Sequence, residues 1–442
     1  MKFFSKQNLF KGGVHPKEYK YLTSSLPFET IPTPLKIILP LSQNIGAPST
    51  PIVNKKDEVF SGQLIATQNG PISVPIYSPV SGKILSIGIE DTVSSFAKES
   101  ITIQSNENSE MKLFPKLYLI NISDIEIRER VQMAGIVGLG GAAFPTYFKL
   151  TPPKNKTIDY VILNGCECEP YLTRDYRLMI ERPKDLIAGL KLIMKALNVG
   201  KGAIGIEDNK EDAIDILQNL VKDDKSISIV KLKTKYPQGA EKMLIKAMLN
   251  REVPPGKLPF DVGVAIQNIG TAIAIYEAVY LGMPLTSASL TVSGLGIKTP
   301  KNLTVPIGTP LIDILEYCGG IKECAKRVIV GGPMMGITQH NLNAPIMKAT
   351  SGILVLTAEE INQFDETNCL QCGKCIEVCP VNLSPTTLTR FSQLAQFNEA
   401  EENGIFTCME CGTCAYICPA NIPLVQWIAH GKNQLFISKK VV

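Results

Sequence analysis

The chain has 442 residues, a length that predicts about three domains. Its 45 Lys and Arg against 41 Asp and Glu leave a formal charge of +4, which excludes the strongly basic class of nucleic-acid-binding proteins. A content of 45% hydrophobic and 19% charged residues supplies packed cores and excludes a disordered chain. Eight of the twelve cysteines lie between Cys369 and Cys418, and such clustering indicates metal binding.

The N-terminus and the apolar stretches bear on the compartment of the chain. The opening residues, Met1–Lys6, contain no apolar core and no small-residue cleavage site, so no secretory signal is expected. The most apolar stretch, Ile266–Leu285, is interrupted by Gln267, Asn268 and Glu277 and is too polar for a membrane span. We therefore expect a cytosolic chain whose cysteines are reduced or metal-bound, with any membrane attachment made through a partner.

Residues 1–125 are rich in Pro, Gly, Ser and β-branched residues and contain short strand-like runs such as Leu35–Leu39. This texture predicts an all-β unit with tight turns. The stretch Val59–Gly82 resembles the hammerhead of lipoyl- and biotinyl-type carrier domains. Those domains carry their cofactor on a hairpin lysine, but this sequence has no lysine between Lys56 and Lys83. We therefore predict a β-rich, hammerhead-like scaffold without a swinging arm.

Residues 126–285 alternate between strand-like and helix-like segments, which predicts a parallel sheet with helices packed on it. Residues 286–350 return to β character, and residues 358–430 have the pattern of short helices around cysteine runs. The predicted fold class is therefore a multidomain α+β protein. The strands and helices predicted within the α/β region are Tyr160–Leu163, Asp185–Leu197, Ala203–Ile206, Asp212–Val221 and Ile227–Leu232.

Two cysteine runs near the C-terminus share one spacing, Cys-x2-Cys-x2-Cys-x3-Cys-Pro. This is the pattern of bacterial two-cluster ferredoxins, in which the fourth cysteine of each run ligates the other cluster. On that rule, one [4Fe–4S] cluster is held by Cys369, Cys372, Cys375 and Cys418. The second cluster is held by Cys408, Cys411, Cys414 and Cys379.

Zinc is the alternative ligand for clustered cysteines, but it favours two separated pairs that close a tetrahedral site. Four cysteines per run, duplicated and each ending in Cys-Pro, favour iron–sulfur clusters, and two linked clusters would form an electron wire. Between the runs, Ser384 and Pro385 predict the start of a helix that extends toward Gln396.

A glycine cluster, Gly138-Leu-Gly-Gly-Ala-Ala-Phe-Pro-Thr146, opens the α/β region. By itself such a cluster indicates only a turn. The cluster is informative together with three later segments, each of which combines polar or acidic side chains with glycine or proline. They are Asn164–Tyr171, which is followed by Arg174–Asp175, then Tyr236–Lys242, and finally Gln267–Thr271.

Together these segments resemble the flavin-binding subunit of respiratory complex I, which binds FMN and NADH in a Rossmann-like domain followed by a β-grasp domain and an iron–sulfur domain. More specifically, the whole chain resembles the RnfC family, the C subunits of the Rnf ion-translocating oxidoreductases. Gly12–Pro16, Pro40–Pro48, Gly331–Gly336 and the double cysteine run all contribute to that resemblance. It implies a β-rich domain at 1–125, a flavin- and NADH-binding α/β domain at 126–285, an SLBB-type β-grasp domain at 286–350 and a helical dicluster ferredoxin domain at 358–430.

The resemblance also implies FMN and two [4Fe–4S] clusters as cofactors, with NAD(H) as substrate and no catalytic acid–base pair or nucleophile. Glycines let an isoalloxazine ring approach the backbone, and a cation with backbone N–H groups suits its phosphate. The implied binding residues are the glycines Gly138, Gly140 and Gly141, the cation Lys149, the polar residues Asn164, Asn268 and Thr271, and the acids Glu167, Glu169 and Glu241.

The sequence departs from the complex I pattern at three positions. Cys166 stands where complex I has Asp, Ala143 replaces the glycine before Phe-Pro, and Leu139 replaces an arginine. These changes concern the pyrophosphate and nicotinamide contacts more than the flavin site. Of the four cysteines outside the runs, two are expected in the core or in turns and two are too few to complete a further cluster: respectively Cys318 and Cys324, and Cys166 and Cys168.

The implied function is electron exchange between NAD(H), FMN and the two clusters, which membrane subunits couple to ion pumping. The implied partners are the other Rnf subunits, including the ferredoxin-type subunit, and the implied location is peripheral, on the cytoplasmic side of the inner membrane. One alternative is a soluble cobalamin reductase of the propanediol-utilisation type, which begins near the equivalent of Ala134. A second alternative is an electron-carrying scaffold that has lost its flavin.

Overall fold

The fold is taken from a computed structural model, which describes residues 9–94, 97–106, 110–117, 121–153, 155–361 and 364–440. Short helical turns occur at Lys20–Leu22, Pro259–Val262, Glu277–Leu281 and Ile405–Thr407. Among the helices of the described ranges, none combines the length and the apolar character that crossing a membrane requires.

In the described residues, the N-terminal part of the chain contains eight strands, and those from β2 to β8 pair antiparallel with one another. Its strands are β1 (Phe28–Thr30), β2 (Lys36–Pro40), β3 (Thr50–Pro51), β4 (Glu58–Val59), β5 (Leu64–Thr67), β6 (Ile76–Tyr77), β7 (Gly82–Glu90) and β8 (Lys98–Ser105). One sheet has the order β2-β8-β7-β4, and a smaller one has the order β3-β5-β6. One face of the larger sheet carries fully buried side chains, as the β-branched texture predicts. They are Ile37 and Leu39 of β2 and their cross-strand partners Ile103 and Ile101 of β8.

The second part is a four-stranded parallel sheet with helices. Its elements are α1 (Asp124–Met133), α2 (Thr146–Lys149), β9 (Tyr160–Gly165), α3 (Arg174–Glu181), α4 (Pro183–Ala196), β10 (Gly202–Glu207), α5 (Glu211–Leu220), β11 (Ile227–Leu232), α6 (Glu241–Leu249), β12 (Val264–Asn268) and α7 (Ile269–Tyr276). The strand order is β11-β10-β9-β12, and every pair is parallel. The predicted strands and helices of this region all occur, with ends that differ by a few residues. Every residue of β10 is buried, which is typical of a parallel strand covered on both faces.

The third part is a six-stranded sheet of order β1-β14-β13-β17-β15-β16. Its own elements are β13 (Ser287–Ser293), β14 (Lys301–Pro306), α8 (Leu311–Tyr317), β15 (Ala325–Val330), β16 (Ile337–Gln339) and β17 (Gly352–Thr357). The sheet extends outside the predicted span 286–350, because β17 follows that span and β1 comes from the N-terminal region. β1 pairs with the free edge of β14, and Asn302 of β14 donates hydrogen bonds to the carbonyls of Thr23 and Leu26 just before β1.

The C-terminal part is helical. It contains α9 (Lys374–Glu377), α10 (Pro385–Gln393), α11 (Phe397–Glu402), α12 (Thr413–Tyr416) and α13 (Leu424–Lys440). Ser384 is the N-cap of α10 and Pro385 is its first residue, as predicted, although the helix ends at Gln393. α10, α11 and α13 pack around a small apolar core that includes Leu388, Ala400 and Ile428.

A buried lysine joins the first three parts. Lys348, between β16 and β17, is 2% exposed, and its Nζ donates hydrogen bonds to the carbonyls of Pro75 (2.9 Å) and Gly135 (2.7 Å). Its backbone N–H donates to Oε1 of Gln43. Burial lowers the pKa of the Lys348 ammonium to about 7. The charged form is therefore disfavoured in the folded protein.

This lysine should give the fold a characteristic pH dependence. Its pKa is near 7 when folded against an ordinary value of 10.5, so the unfolded chain binds more protons between these values and stability rises with pH across that window. We expect the melting temperature of the wild type minus that of Lys348→Met to increase from about pH 7 to about pH 10. Anaerobic thermal melts check this, with the exposed Lys326→Met as control. A difference that stays constant or falls with pH would contradict it.

Candidate cofactor sites

The carboxyl ends of β9 and β12 form the crevice at which the predicted flavin residues meet. The two strands are adjacent, and Asn164 at the end of β9 is in register with Asn268 at the end of β12. From β9 the chain runs outward to β10 and β11 and then returns to β12 on the other side of β9. A point where the strand order reverses in this way is where open α/β sheets bind ligands. The glycine loop covers the crevice: a Cβ on Gly140 would lie 2.6 Å from Nδ2 of Asn268, whereas a Cβ on Gly141 would meet open space. The loop is thus both close-packed and accessible.

A buried ion pair fastens the glycine loop to Asn268. The backbone N–H of Leu139 donates to Oγ1 of Thr271 (3.0 Å), and the Arg174 guanidinium donates to the Leu139 carbonyl (3.0 Å) and to Oδ1 of Asn268 (2.9 Å). Asp175 accepts from Nδ2 of Asn268 and pairs with Arg174 at 2.6 Å. Thr271 and Asn268, predicted as flavin ligands, therefore also shape the loop.

Three buried polar atoms around the crevice lack a hydrogen-bond partner among the residues that the structure describes. They are Oγ1 of Thr146, Nε2 of Gln238 and Nε2 of Gln267. Each belongs to a different one of the segments that carry the flavin resemblance. Buried polar groups are nearly always satisfied in native proteins, so unpaired donors here are consistent with a polar ligand. The residues present therefore fit a flavin site.

Lys149, Glu241 and Asn164 of the predicted set also make contacts within the chain at this edge of the sheet. Lys149 forms an ion pair with Glu241, which begins α6. Asn164 donates through Nδ2 to the carbonyl of Gly239 at 2.7 Å and accepts from the backbone N–H of Cys166 at 3.2 Å. The loop before α6 is thereby held against the end of β9.

Glu167 acts at the N-terminus of α3. Its carboxylate accepts hydrogen bonds from the backbone N–H groups of Asp175 (2.7 Å) and Tyr176 (3.1 Å), which have no partner within the helix. Burial raises the pKa of this carboxyl, and Lys20 opposes the rise. Glu167 thus supports the loop that carries it.

Glu169 joins the α/β part to the six-stranded sheet. Its carboxylate accepts from the backbone N–H groups of Met334 and Met335, both at 3.0 Å. Burial raises the pKa of Glu169 to about 7, although these two amides favour the ionised form. Both acids of the Asn164–Tyr171 segment therefore make structural contacts within the chain.

The two cysteine runs have the same backbone shape. In the first run Gln371 and Gly373 have positive φ, and in the second Glu410 and Gly412 do. Each pair wraps its loop around the space between the first three cysteines. The repeat of left-handed residues at equivalent positions gives both loops the tight curvature that a compact cluster requires.

The fourth cysteine of each run lies with the other run. A largely apolar cavity is bordered by Cys379, Cys408, Cys411 and Cys414, the set predicted for the second cluster. Cys418 packs against an apolar group that contains Cys375 of the first run and also Cys414 of its own run. Within the described residues, no three His, Cys, Asp or Glu side chains converge closely enough to hold a single ion. Cysteines that surround a cavity fit a cluster.

The second-run loop touches the α/β part directly. The Tyr236 hydroxyl donates to the carbonyl of Cys411 at 2.7 Å, and Tyr236 is 2% exposed. Cys168 and Met334 pack in the same apolar group as Tyr236 and Cys411. By contrast, Cys369 and Cys372 of the first run are exposed. The second-run loop therefore contacts the Tyr236–Lys242 segment, whose Gly239 bonds Asn164 at the crevice, whereas two cysteines of the first run are exposed.

Comparisons with known proteins agree in order with the four parts. Family models match the RnfC barrel sandwich hybrid domain at 8–108, the Nuo51 FMN-binding domain at 131–277, the SLBB domain at 289–338 and the 4Fe–4S dicluster domain at 361–419. The C subunit of the proton-translocating ferredoxin:NAD(+) oxidoreductase complex of Clostridium ljungdahlii is 46% identical over 89% of this chain and 86% of its own length. The chain belongs to the RnfC family.

Two further relatives are also C subunits of ion-translocating oxidoreductase complexes. The C subunit of the Na(+)-translocating ferredoxin:NAD(+) oxidoreductase complex of Acetobacterium woodii is 44% identical over 90% of each chain. The C subunit of the ion-translocating oxidoreductase complex of Rhodobacter capsulatus is 42% identical over 96% of this chain and 83% of its own length. The resemblance stated from the sequence motifs is thus confirmed.

Solved structures show a shared fold at lower identity. The NAD+-reducing [NiFe]-hydrogenase in its H2-reduced state matches 71% of this chain and 62% of that chain, with a TM-score of 0.50 and 19% identity. At this identity the match concerns the fold alone.

The cysteines outside the runs occupy the kinds of position that the sequence predicts. Cys318 is fully buried at the end of α8, and Cys324 is exposed in the turn before β15. Cys166, which stands where complex I has Asp, is fully buried, and burial raises the pKa of its thiol. The Cys168 sulfur accepts from the backbone N–H of Gly239 at 3.3 Å. Both thiols of this RnfC segment therefore have partners within the α/β part.

Sequence reasoning missed one residue that supports the site. Lys20 lies far away in sequence, yet its Nζ donates to the carbonyls of Glu167, Glu169 and Leu172. Nothing in its local pattern marks it, because a lone lysine in a β-rich segment is ordinarily solvated. Arg174 was noted in its motif, but its contact with the glycine loop depends on the packing of α3.

Ala143, which stands where the complex I motif has glycine, has a left-handed backbone conformation. Its φ is 55°, in the left-handed region that a Cβ disfavours. The departure from the motif therefore introduces local strain in this RnfC chain.

Replacing Ala143 by glycine should relieve that strain. Left-handed alanine costs roughly 1–2 kcal/mol, and glycine returns part of this through its greater unfolded-state entropy. We expect Ala143→Gly to raise the free energy of unfolding by up to about 1 kcal/mol. Denaturant unfolding measures it. Ala142→Gly, at a neighbouring position without positive φ, should be neutral or destabilising. A loss of stability in Ala143→Gly would show that the strain is not significant.

Proposed function

We propose that the protein is the peripheral electron-transfer subunit of a membrane-bound, ion-translocating ferredoxin:NAD oxidoreductase. It exchanges electrons between NAD(H), FMN and two [4Fe–4S] clusters, and membrane subunits couple this exchange to ion pumping. The observation that carries the proposal is the contact between the two sites. Tyr236, from a segment of the flavin crevice, bonds the Cys411 loop of the second run. A flavin domain and a cluster loop in contact form a route for electrons.

The carboxyl ends of β9 and β12 would hold the flavin. Gly138, Gly140 and Gly141 would leave room for its ring, Lys149 would be the cation for its phosphate, and Asn164, Asn268 and Thr271 would supply hydrogen bonds to its polar groups. When bound, FMN exchanges a hydride with NAD(H) and single electrons with the clusters. The chain's own residues hold the loop in place through Arg174 and Asp175 and keep its glycines open toward solvent.

The three predicted acids hold the segments that border the crevice. Glu167 caps α3, Glu169 anchors the Met334–Met335 turn, and Glu241 balances Lys149. We infer that Glu241 is the acid best placed to respond to a bound phosphate, because that phosphate would compete with it for the ammonium group of Lys149. Glu167 and Glu169 contribute to NADH binding indirectly, because they set the shape and the electrostatic potential of the Asn164–Tyr171 loop.

The clusters are assigned by which cysteines share a space. The inner cluster is held by Cys379, Cys408, Cys411 and Cys414, and the outer cluster by Cys369, Cys372, Cys375 and Cys418. The inner cluster adjoins the flavin crevice through Tyr236. The outer cluster lies behind the exposed Cys369–Ile376 loop, where a one-electron partner such as the ferredoxin-type subunit has access.

We further infer the finer architecture and the location. The first domain is a hammerhead-like scaffold without a swinging arm, the second is Rossmann-like, the third is a β-grasp and the fourth is a two-cluster ferredoxin. The chain works at the cytoplasmic side of the inner membrane and is attached through other Rnf subunits. The match of residues 8–108 to the RnfC barrel sandwich hybrid domain favours this role over the soluble cobalamin reductase, which begins near Ala134.

Flavin binding provides the first test. Anaerobically reconstituted protein should release FMN in acid, and NADH should bleach the flavin absorbance. Gly140→Ala should lower the flavin content several-fold, because the new Cβ would lie 2.6 Å from the Asn268 amide. Gly200→Ala, whose Cβ meets open space, is the control. Wild-type protein with clusters but no flavin would favour the flavin-free scaffold instead.

The cluster assignment has a separate test. Cys379→Ser should alter the electron paramagnetic resonance signal of the same cluster as Cys411→Ser, and Cys418→Ser that of the same cluster as Cys372→Ser. Two contacts support this expectation: Cys379 borders the same cavity as Cys408, Cys411 and Cys414, and Cys418 packs in one apolar group with Cys375. If Cys379→Ser instead altered the same signal as Cys372→Ser, each run would hold its own cluster and the crossed assignment would be wrong.

A further inference from the structure

The N-terminal segment Phe10–Thr23, here called the strap, runs from the inner-cluster loop to the flavin crevice. We propose that the strap is a positioning element that sets the gap between the flavin and the inner cluster, and that Gly12 and Gly13 are the residues through which it does so. The inference rests on the proposed function, since it concerns the electron route within it.

At the cluster end, the strap is bonded to both sides of the gap. The backbone N–H of Gly13 donates to the carbonyl of Val378 at 2.8 Å, and Val378 directly precedes the cluster ligand Cys379. The next residue, Val14, exchanges two backbone hydrogen bonds with Tyr236, of 2.8 and 3.0 Å. Two adjacent strap residues thus bind the ligand loop on one side and the α/β part on the other.

The two glycines leave no room for a side chain at this position. A Cβ on Gly12 would lie 2.7 Å from the Val378 carbonyl oxygen and 2.9 Å from backbone atoms of Cys379. A Cβ on Gly13 would lie 2.6 Å from the Tyr236 carbonyl oxygen. Both residues have positive φ, of 71° and 80°. The atoms nearest Gly12 are all backbone, and the atom nearest Gly13 is a backbone oxygen. A side chain here would therefore push the ligand loop and the α/β part apart.

Lys235 fastens the start of the strap. Its Nζ donates to the Phe10 carbonyl at 3.2 Å and lies 4.6 Å from the centroid of the Phe10 ring. The lysine precedes Tyr236, so the strap is attached to the α/β part on both sides of the glycine pair.

At the flavin end, the strap supports the loop that carries the predicted acids. The buried ammonium group of Lys20 donates to the carbonyls of Glu167 (2.8 Å), Glu169 (3.0 Å) and Leu172 (2.6 Å). The ring of Tyr19 stacks on that of Tyr171 at 4.6 Å, with an angle of 4° between the planes. The strap therefore holds the acid loop and the cluster loop within one continuous stretch of chain.

This arrangement affects rate rather than binding. Tyr236 and Cys379 lie on the two sides of the gap that an electron crosses, and the rate of electron tunnelling falls steeply with distance. A strap that holds both sides keeps the gap short. The flavin's contact with NAD(H), at the carboxyl edge of β9 and β12, does not involve the glycine pair.

A single-turnover measurement separates the two steps. Holoprotein with flavin and both clusters is photoreduced and mixed with excess NAD+. Reduced flavin first passes a hydride to one NAD+. The two reduced clusters then supply one electron each, through the flavin, to a second NAD+, which takes up a proton and becomes NADH. Flavin absorbance reports the first step, and freeze-quench electron paramagnetic resonance reports the loss of the reduced-cluster signals.

Gly12→Ala should slow cluster reoxidation several-fold and leave the flavin step unchanged. Gly256→Ala is the matched control, because Gly256 has the same φ of 71° but its Cβ would meet open space. Lys235→Met removes the hydrogen bond to Phe10 without adding a side chain at the glycine pair. It should also slow cluster reoxidation, but by less than Gly12→Ala. Lys233→Met, on the same segment but paired with Asp208, is its control.

The outcomes are distinct. Slower cluster reoxidation with a normal flavin step, in both variants and in neither control, supports the proposal. An unchanged rate in variants that retain flavin and iron overturns it, as does equal slowing of both steps, which would assign the strap to the flavin site. If Gly12→Ala loses iron, Lys235→Met decides by the same criteria. A wild type without flavin lacks the first step, and this result refutes the proposed function and the strap proposal with it.

Discussion

The hydrogen bonds of Tyr236 hold three parts of the chain at one point. Its backbone bonds Val14, its hydroxyl bonds the carbonyl of Cys411, and it packs beside Cys168 and Met334 in an apolar group that excludes water. A buried hydroxyl left unpaired would cost about 1–3 kcal/mol, so the cluster loop is held where that bond is made. The α/β part, the N-terminal segment and the cysteine domain are positioned relative to one another through this residue.

The acids that the flavin resemblance implies make structural contacts within the chain. Glu167 and Glu169 accept hydrogen bonds from backbone amides, and Lys20 donates hydrogen bonds to the carbonyls of the same loop. Nearby, Glu207 and Lys210 form a buried ion pair at 3.1 Å; burial raises the pKa of the Glu207 carboxyl, and Lys210 opposes the rise. Charges buried in this way are stable only when paired and hydrogen-bonded, which keeps the loop in one conformation.

Much of the fold follows from local pattern. The alternation that predicts the parallel sheet is set by which residues each strand and helix must bury, and Ser384 and Pro385 act within one turn of helix. Other features have no local signal. β1 is three residues long and is a strand only because β14 offers it an edge, and the bonds that Lys20 makes depend on chain folded more than a hundred residues away. Glu169 was expected to face a ligand, but it also serves as an anchor for Met334 and Met335.

The sequence by itself determined the chemistry of this protein. The spacing of cysteines allows a loop to wrap a cluster, and the glycine, asparagine and acid segments specify a flavin crevice, because both depend on contacts within a few residues or on residue types that few other sites require. Only the tertiary structure decided how these segments meet: that the second run contacts Tyr236, and that Gly12 and Gly13 lie between Tyr236 and Cys379. These contacts arise from packing between segments that are distant in the chain. Local sequence pattern does not determine them, because any one of several faces of a domain could pack against its neighbour.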